Sequence, residues 1–388
     1  MDVFAPPIGR GLGLSYISAL VPAQIAHYVA WGAFALAFVF GAVGNKTEFC
    51  TMGAVSDWVN MGNLNRMRMW LLAIAVAVLG ANALQLAGVV NLSKSIYQTP
   101  NFTWLSYIVG GFLFGVGMTL GSGCGSKTLI RIGGGNLKSL IVFVFLGIAA
   151  YMTLRGLFGA FRVDFLEKAS ITLAGGQDLP TLMAKASGVT KKTWIEILSV
   201  AIGGGLLAYV YSSRDFRSNF DYTLGGVVTG LVVVGGWYVS GHIGYLAEDP
   251  NTLQEAFIGT NTGRMESFSF VSPMAFTLEY LMFWTDKTRI ITYGIASAAG
   301  VIAGSAVYAL ATKTFRWESF RDAGDMGRHM LGGILMGFGG ITALGCTVGQ
   351  GISGFSTLAV GSMITFVSIV AGAAATMKFE YWRMLREA

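Results

Sequence analysis

Apolar runs of membrane-spanning length recur along the whole chain, and short polar stretches separate them. A helix needs about 20 predominantly apolar residues to cross the hydrocarbon core of a bilayer. The pattern therefore predicts an all-α polytopic membrane protein in which residues 1–388 form a single transmembrane domain. Nine spans are predicted, at about 23–43, 69–90, 104–120, 139–157, 195–211, 224–240, 289–311, 329–344 and 359–377.

Four further segments follow a span directly but are too short and too polar to cross a bilayer. Three of them lie near 50–60, 125–132 and 347–356, and the fourth begins at Ser272. Ser272 can act as a helix cap, and Pro273 suits the first helical position because its missing N–H is not needed there. Polar backbone at membrane depth needs shielding by protein or water. We therefore expect four short re-entrant helices.

An internal repeat is visible when the chain is compared with itself at an offset of 222 residues. The offset pairs the motif GGFLFGVG with GGILMGFG, Cys124 with Cys346, Cys50 with Ser272, and Asp57 with Glu279. The predicted halves cover about 23–157 and 224–377, with the span at about 195–211 between them. Each half holds four spans, an even number, so the chain would enter both halves from the same side without the extra span. With it, the second half is inserted in the opposite orientation to the first. The expected architecture is an inverted repeat.

The composition excludes an ordinary soluble protein. Hydrophobic residues make up 54% of the chain, charged residues 12%, and the mean hydropathy is +0.61, whereas soluble domains carry roughly 25% charged residues. The formal charge of +6 is attributed to loop lysines and arginines. No basic stripe interleaved with aromatic residues indicates a nucleic-acid partner. The expected environment is the lipid bilayer, and no removable signal peptide is recognised at the N-terminus.

Basic residues are concentrated on one side of the predicted spans. Short loops on the side reached after the first span carry most of them, whereas short loops on the other side offer only Arg10 and Lys94. The positive-inside rule gives most weight to short loops. We therefore expect the N-terminus outside and the C-terminus in the cytoplasm.

All three cysteines of the chain stand where a predicted span meets a short polar helix. Helix N-termini carry unpaired N–H groups and a positive dipole end, which attract anions. Converging N-termini beside thiols therefore predict an anion site. The candidate translocation residues are Cys50, Cys124 and Cys346 with Gly123, Gly125, Ser126, Gly345, Thr347, Ser272, Lys127 and Arg131.

Other roles for these residues stay open at this point. A lone cysteine is commonly a small buried hydrophobe. A three-thiol site for a soft metal such as Cu(I) would lack the histidine or C-x-x-C spacing of most metal sites, and a disulfide would leave one thiol unpaired. We expect neither a metal nor a cofactor. For Lys127 and Arg131, contact with lipid headgroups or cytoplasm is the alternative to anion binding.

Two further expectations concern the polar residues near the predicted spans. Glu48, Asp57 and Glu279 are expected to form ion pairs with nearby arginines rather than to carry protons. The stretch from Gly241 to Phe268 is expected to be a surface insertion that covers the outer mouth.

The motifs around the cysteines resemble those of the YeeE/YedE family of bacterial membrane proteins. NKTEFCTMGAVSDW contains Cys50, GGFLFGVGMTLGSGCGSKTLIR contains Cys124 and Arg131, and GGILMGFGGITALGCTVGQGISG contains Cys346. The resemblance covers nearly the whole chain. The sequence differs from the family in having Ser-Gly-Cys and Leu-Gly-Cys where Gly-Gly-Cys is common, and in a longer 241–268 segment.

The resemblance implies a non-enzymatic, hourglass-shaped transporter of the bacterial inner membrane whose three cysteines line a narrow path. Characterised transporter members of the family import thiosulfate, so the expected substrate is a sulfur oxyanion. A cytoplasmic sulfurtransferase of the TusA-like type is a candidate partner. Sulfite, other sulfur compounds and selenium species stay open as substrates. Two other functions also stay open, namely a membrane thiol-redox or sulfurtransferase protein and a passive anion channel.

Overall fold

The computed structural model describes residues 22–173, 175–249, 253–286 and 288–387 of the chain. This part of the chain is built almost entirely of α-helices. In chain order they are α1 (Pro22–Lys46), α2 (Thr51–Met61), α3 (Asn65–Leu86), α4 (Trp104–Leu120), α5 (Gly125–Gly133), α6 (Leu137–Arg155), α7 (Leu157–Phe161), α8 (Leu179–Ser187), α9 (Lys191–Tyr211), α10 (Arg214–Ser218), α11 (Phe220–Tyr238), α12 (Ser272–Met282), α13 (Tyr293–Ala311), α14 (Ala323–Thr342) and α15 (Val360–Glu387).

Each predicted span coincides with a long helix. In the described part of the chain, eight of these helices are long and apolar enough to cross a membrane. The remaining one is α14, whose first turns carry Asp325, Arg328 and His329. The prediction of an all-α polytopic membrane protein is therefore confirmed. We call the face of the bundle at which α1 ends the inner face, and the opposite face the outer face.

Glycines let the long helices approach one another closely, as is usual in membrane bundles. Helices α4 and α14 run antiparallel and meet at two reciprocal contacts, where Gly110 faces Gly339 and Gly117 faces Gly332. A Cβ atom on any of these four residues would lie within 2.8 Å of the opposite backbone. Only glycine therefore fits at this crossing.

The other long helices pack around this crossing in matched pairs. Helix α6 packs against α14, and α15 packs against α4. Helix α1 packs against α13, and α3 packs against α11, while α9 lies outside this set and packs against α3. At the α1–α13 contact, Cβ atoms on Gly41 and Gly304 would come within 2.2 Å and 1.9 Å of opposite carbonyl oxygens. The bundle is thus held together by small residues at its centre.

Two short antiparallel sheets lie on the connections at the outer face. Strand β1 (Asn101–Phe102) pairs with β2 (Ile171–Thr172), and β3 (Tyr245–Leu246) pairs with β4 (Ala256–Phe257). The first sheet ties the start of α4 to the long connection after α6. The second forms a small hairpin after α11.

The 241–268 segment is only partly the surface insertion that its polarity predicts. Beyond the β3–β4 hairpin the chain enters the bundle, where Met265 and Phe268 are buried. The Ile96 N–H donates to the Met265 carbonyl at 3.2 Å, and the Ser240 hydroxyl donates to the carbonyl of Glu266. The expectation of a surface insertion is wrong for the second half of this segment, because these apolar side chains and backbone bonds draw it inward.

The short helices α2, α5 and α12 lie where they are predicted, and a further helical segment that includes a π-helical stretch, Gly349–Gly354, follows Cys346. The capping role predicted for Ser272 is wrong. Val271 occupies the cap position without a side-chain bond, and Ser272 is already helical. The helix begins one residue early because Phe270 is fixed in the core, where its ring stacks on Phe40 at 5.6 Å.

Candidate functional site

The three cysteines share one local backbone geometry. Two residues before each cysteine a non-glycine residue adopts a left-handed conformation, with φ of 51° at Glu48, 56° at Ser122 and 59° at Leu344. In each of the three turns, the N–H group of the residue just before the cysteine donates to the carbonyl oxygen of the residue five positions earlier. This is the hydrogen bond of a Schellman helix end. Each long helix therefore stops, turns, and presents a cysteine as the start of a short helix.

Each thiol is held by hydrogen bonds at the start of its short helix. Cys50 is the N-cap of α2, and its sulfur accepts the Gly53 N–H at 3.5 Å. Cys124 is the N-cap of α5, and its sulfur lies 3.3 Å from the Ser126 hydroxyl oxygen. Bonds to backbone N–H groups fix the position of a sulfur atom and turn its partial negative charge toward the helix start.

The sulfur of Cys346 accepts two backbone N–H groups from different parts of the chain. One belongs to Gly349, at 3.4 Å, and the other to Phe270, at 3.3 Å. The Ser269 hydroxyl oxygen lies 4.0 Å from the same sulfur. The connection leading to α12 and the turn after α14 therefore meet at this thiol.

The fold brings the three thiols together in one buried row. Cys50 lies close enough to Cys124 for the two side chains to interact electrostatically, and Cys124 in turn lies near Thr347 and Cys346. All three cysteines are buried and free. Helices α1 and α4 deliver Cys50 and Cys124 from the inner face, whereas α14 delivers Cys346 from the outer face. The row therefore runs through the middle of the bundle.

A chamber of about 470 Å³ opens from this row toward the inner face, and Cys50 lies in its wall. Arg66 pairs in this wall with Glu48 and, at 3.3 Å, with Asp57. The expected ion pairing of these two acids is confirmed, and Glu279 likewise pairs with Arg289 at 2.9 Å.

Lys127 and Arg131, on α5, also line the inner chamber. Arg131 donates to the Ser122 carbonyl at 2.5 Å, so it braces the turn before Cys124. No carboxylate within the described ranges pairs with Lys127 or with Arg131. Glu48 in the same wall interacts electrostatically with Lys127 without forming an ion pair with it. The two half-buried cations add positive charge to the chamber, and positive charge attracts anions.

On the other side of the row, a much smaller cavity of about 40 Å³ lies toward the outer face. Its wall includes Ser269, Ser272 and Glu266. Ser272 is thus placed near the outer end of the row, although it does not cap a helix. The cavity on the inner side of the thiols is thus much larger than the cavity on the outer side.

Several buried polar atoms near the thiols have no hydrogen-bond partner of good geometry. They are the hydroxyls of Thr51, Thr347 and Tyr97 and the amide oxygen of Gln350. Thr347 lies beside Cys124, and Thr51 directly follows Cys50. An unsatisfied buried polar group costs about 1–3 kcal/mol. These groups therefore leave hydrogen-bonding capacity unused in the interior beside the thiols.

Glycines beside the thiols allow other parts of the chain to pack closely against them. A Cβ on Gly125 would lie 3.3 Å from the Phe270 carbonyl oxygen, and one on Gly345 would lie 3.2 Å from the Gln350 nitrogen. A Cβ on Gly123 would only touch the Lys127 side chain, at 3.4 Å. Gly125 and Gly345 therefore allow close backbone approach, whereas Gly123 has more room.

The sequence motifs identify the cysteines and their neighbours, but they miss the residues supplied from elsewhere. Ser269, Tyr97 and Arg66 reach the path from connections and from the start of α3. No local pattern marks them, since they approach the thiols only after folding. Thr51 could have been recognised, because it follows Cys50 as Thr347 follows Cys346. No group of His, Cys, Asp and Glu side chains in the described ranges is placed to hold a metal ion.

Comparison with known proteins assigns the chain to a family. Residues 46–375 match the family described as sulphur transport. The chain belongs to this sulphur-transport family. The match includes all three cysteine turns and confirms the resemblance that their motifs indicate.

Two relatives cover most of the chain. The thiosulfate transporter TsuA of Escherichia coli strain K12 is 27% identical over 362 residues, which is 90% of this chain and 94% of the relative. The thiosulfate transporter TsuA of Spirochaeta thermophila is 24% identical over 350 residues, 88% of this chain and 96% of the relative. Both relatives are similar to this chain along nearly their full lengths.

Proposed function

We propose that the protein imports a sulfur oxyanion, thiosulfate, across the bacterial inner membrane along the row of thiols. The ion would meet Cys346 first, then Cys124, then Cys50, and leave through the inner chamber. The observation that carries this proposal is that all three thiols are buried, with Cys50 in the wall of the inner chamber and Ser269, in the wall of the outer cavity, 4.0 Å from the Cys346 sulfur. Two relatives named thiosulfate transporters support the choice of substrate.

The chemistry of the path suits a soft dianion. The terminal sulfur of thiosulfate can accept S–H hydrogen bonds from neutral thiols, and its oxygens can accept N–H groups at the starts of the short helices. Lys127 and Arg131 offset its charge on the inner side. Several weak contacts in sequence let an ion enter without being trapped. Gly123, Gly125, Ser126, Gly345 and Thr347 would form the immediate surroundings of this path.

We also propose that the two halves form an inverted repeat whose short helices are re-entrant. The halves are about 23–157 and 224–377, linked by α9. Three features support the proposal, namely the reciprocal glycine contacts of α4 and α14, the matched helix pairs around them, and the shared cysteine turns. The N-terminus would lie outside and the C-terminus in the cytoplasm, because basic residues cluster at the inner face.

Uptake into liposomes tests this function. Purified protein is reconstituted, and thiosulfate uptake is followed with sulfite, sulfate and selenite as competitors. Cys124→Ala and Cys346→Ala are each expected to abolish uptake while leaving insertion and folding intact. Ser199→Ala, at a buried position on α9 away from the path, is the matched control. Uptake that survives both single cysteine changes would remove the thiols from the mechanism.

A thiol-redox or sulfurtransferase role is the second candidate, because the Cys50 and Cys124 side chains lie near each other. In such a protein a thiolate would attack the terminal sulfur of thiosulfate, release sulfite and keep a persulfide. A second thiol could convert this persulfide to a disulfide by attacking its inner sulfur and releasing hydrosulfide. Mass spectrometry of the protein after exposure to thiosulfate separates the two candidates. An unmodified protein is expected for transport, and an added sulfur atom or a disulfide is expected for the alternative. A TusA-like sulfurtransferase at the inner face would be a recipient in either case, and co-purification tests it.

A further inference from the structure

Glu266 lies on the connection that carries the chain from the outer face down to Cys346. Its side chain lines the outer cavity together with Ser269 and Ser272. Three residues further along, the Ser269 hydroxyl lies 4.0 Å from the Cys346 sulfur, and the N–H of Phe270 bonds the same sulfur. On the proposed route through this cavity, an anion meets Glu266 before it reaches Cys346.

No cation in the described ranges neutralises the Glu266 carboxyl group. It accepts the N–H of Asn261 and, at 3.5 Å, the hydroxyl of Thr262. The titratable side chains that face it are Tyr97, from the connection before α4, and Tyr293, at the start of α13. Both are neutral, so the carboxyl group lacks an electrostatic partner.

The basic groups of the surrounding elements are engaged elsewhere or exposed to solvent. Lys94 pairs with Glu255 at 2.5 Å, and His242 stacks on Tyr238 with ring centroids 5.0 Å apart. Arg289 pairs with Glu279. Arg264, two residues from Glu266, is exposed to solvent.

Partial burial raises the pKa of Glu266 to about 7, because the half-buried carboxylate loses hydration without gaining a cation. Below that pH the group is mostly neutral, and its O–H can donate a hydrogen bond to a passing oxyanion. Above it the group is a fixed negative charge in a narrow cavity, where it repels a dianion.

We propose that Glu266 is a proton-binding site in the outer path, and that the anion enters past Cys346 only while this carboxyl group is protonated. The proposal rests on the proposed function and adds a proton to its entry step. It predicts that uptake depends on the pH of the outer solution, although thiosulfate itself stays a dianion near neutral pH.

Uptake of thiosulfate by proteoliposomes is measured at outer pH values from 6 to 8, with the inner pH held constant. The neutral fraction of a group with a pKa near 7 falls about tenfold over this range. Wild-type uptake is therefore expected to fall about tenfold. Glu266→Gln, a neutral side chain of the same shape, is expected to show the wild-type rate of pH 6 at every pH. Glu255→Gln, on the same outer connection, is the matched control and should keep the wild-type profile.

A second readout does not depend on transport. The infrared band of a protonated carboxyl group is expected to titrate near pH 7 in the wild-type protein, and to be lost in Glu266→Gln. Absence of that band in the wild type would overturn the proposal even if the variant failed to fold.

Three transport outcomes would also overturn it. They are a wild-type rate independent of pH, a Glu266→Gln protein with the wild-type pH profile, and a folded Glu266→Gln protein without uptake. A wild-type protein that takes up no thiosulfate at any pH would instead refute the proposed function, and this inference would fall with it.

Discussion

Gly117 and Gly332 face each other across the crossing of α4 and α14. A Cβ on Gly117 would lie 2.7 Å from the Gly332 carbonyl oxygen, and a Cβ on Gly332 would lie 2.7 Å from the Gly117 carbonyl oxygen. Gly110 and Gly339 repeat this arrangement. Under the offset of 222 residues Gly332 is the counterpart of Gly110, and Gly339 is the counterpart of Gly117. Each half thus supplies the same two glycines to the contact.

Replacing either glycine of this crossing by alanine is expected to destabilise the protein. Gly117→Ala or Gly332→Ala forces the two backbones apart, and overpacking of this kind costs about 1–3 kcal/mol. Thermal unfolding in detergent measures the loss. The matched control is Gly204→Ala on α9, where a Cβ meets nothing within 4 Å. That change should be neutral or stabilising by up to about 1 kcal/mol. Equal melting temperatures for all three variants would contradict the close crossing.

Removing the charge of Arg66 is expected to slow uptake. Arg66→Gln leaves Glu48 and Asp57 without their partner in the inner chamber. Two uncompensated carboxylates repel an anion, and roughly a three- to tenfold loss of rate is expected at low ionic strength. Salt should reduce the effect. Uptake by liposomes in two salt concentrations measures it.

Two variants control the Arg66 experiment. Arg68→Gln changes a side chain that lies over the Tyr209 ring, 4.9 Å from its centroid, and should have no effect. A triple change of Arg66, Glu48 and Asp57 to Gln, Gln and Asn should restore most of the rate. A triple variant as slow as Arg66→Gln would show that charge is not the cause.

Lys127 is expected to bind the anion through its charge. Lys127→Met should raise the KM for uptake about tenfold, since a charge-assisted hydrogen bond contributes about 1.5 kcal/mol or more. Lys127→Arg should retain most of the affinity. Concentration-dependent uptake measures both values. Lys378→Met, at an exposed position on α15, serves as the control for loss of a basic residue. Unchanged KM in Lys127→Met would exclude Lys127 from binding.

The turn before Cys124 is expected to become more stable with glycine. Ser122 has a φ of 56°, a conformation that costs an L-residue about 1–2 kcal/mol. Ser122→Gly removes that cost but gains freedom in the unfolded chain, so a net stabilisation of up to about 1 kcal/mol is expected. Ser199→Gly, inside α9, should lower the free energy of unfolding by a similar amount. Melting temperatures compare the two. A lower melting temperature for Ser122→Gly would contradict strain at this turn.

The long helices could be predicted from the sequence because lipid imposes a length and a polarity on every span. The cysteine junctions could be located as well, since each follows an apolar run. The left-handed residues before them could not, because Glu48 and Leu344 are side chains that normally avoid this conformation. Ser269 and Glu266 reach the path through a connection that reads as surface loop. Their positions depend on contacts such as that of Phe270 with Phe40, which no local pattern encodes.

The polar beginning of α14 has a consequence for how the protein is made. Among the long helices in the described ranges, it is the one that does not meet the criterion for crossing a membrane by its own composition. Its partners α4 and α6 are synthesised much earlier and offer it glycine contacts instead of lipid. Late in biogenesis, this helix would enter the bilayer by docking onto a preassembled scaffold. The thiol it delivers, Cys346, would then be the last of the three to take its place.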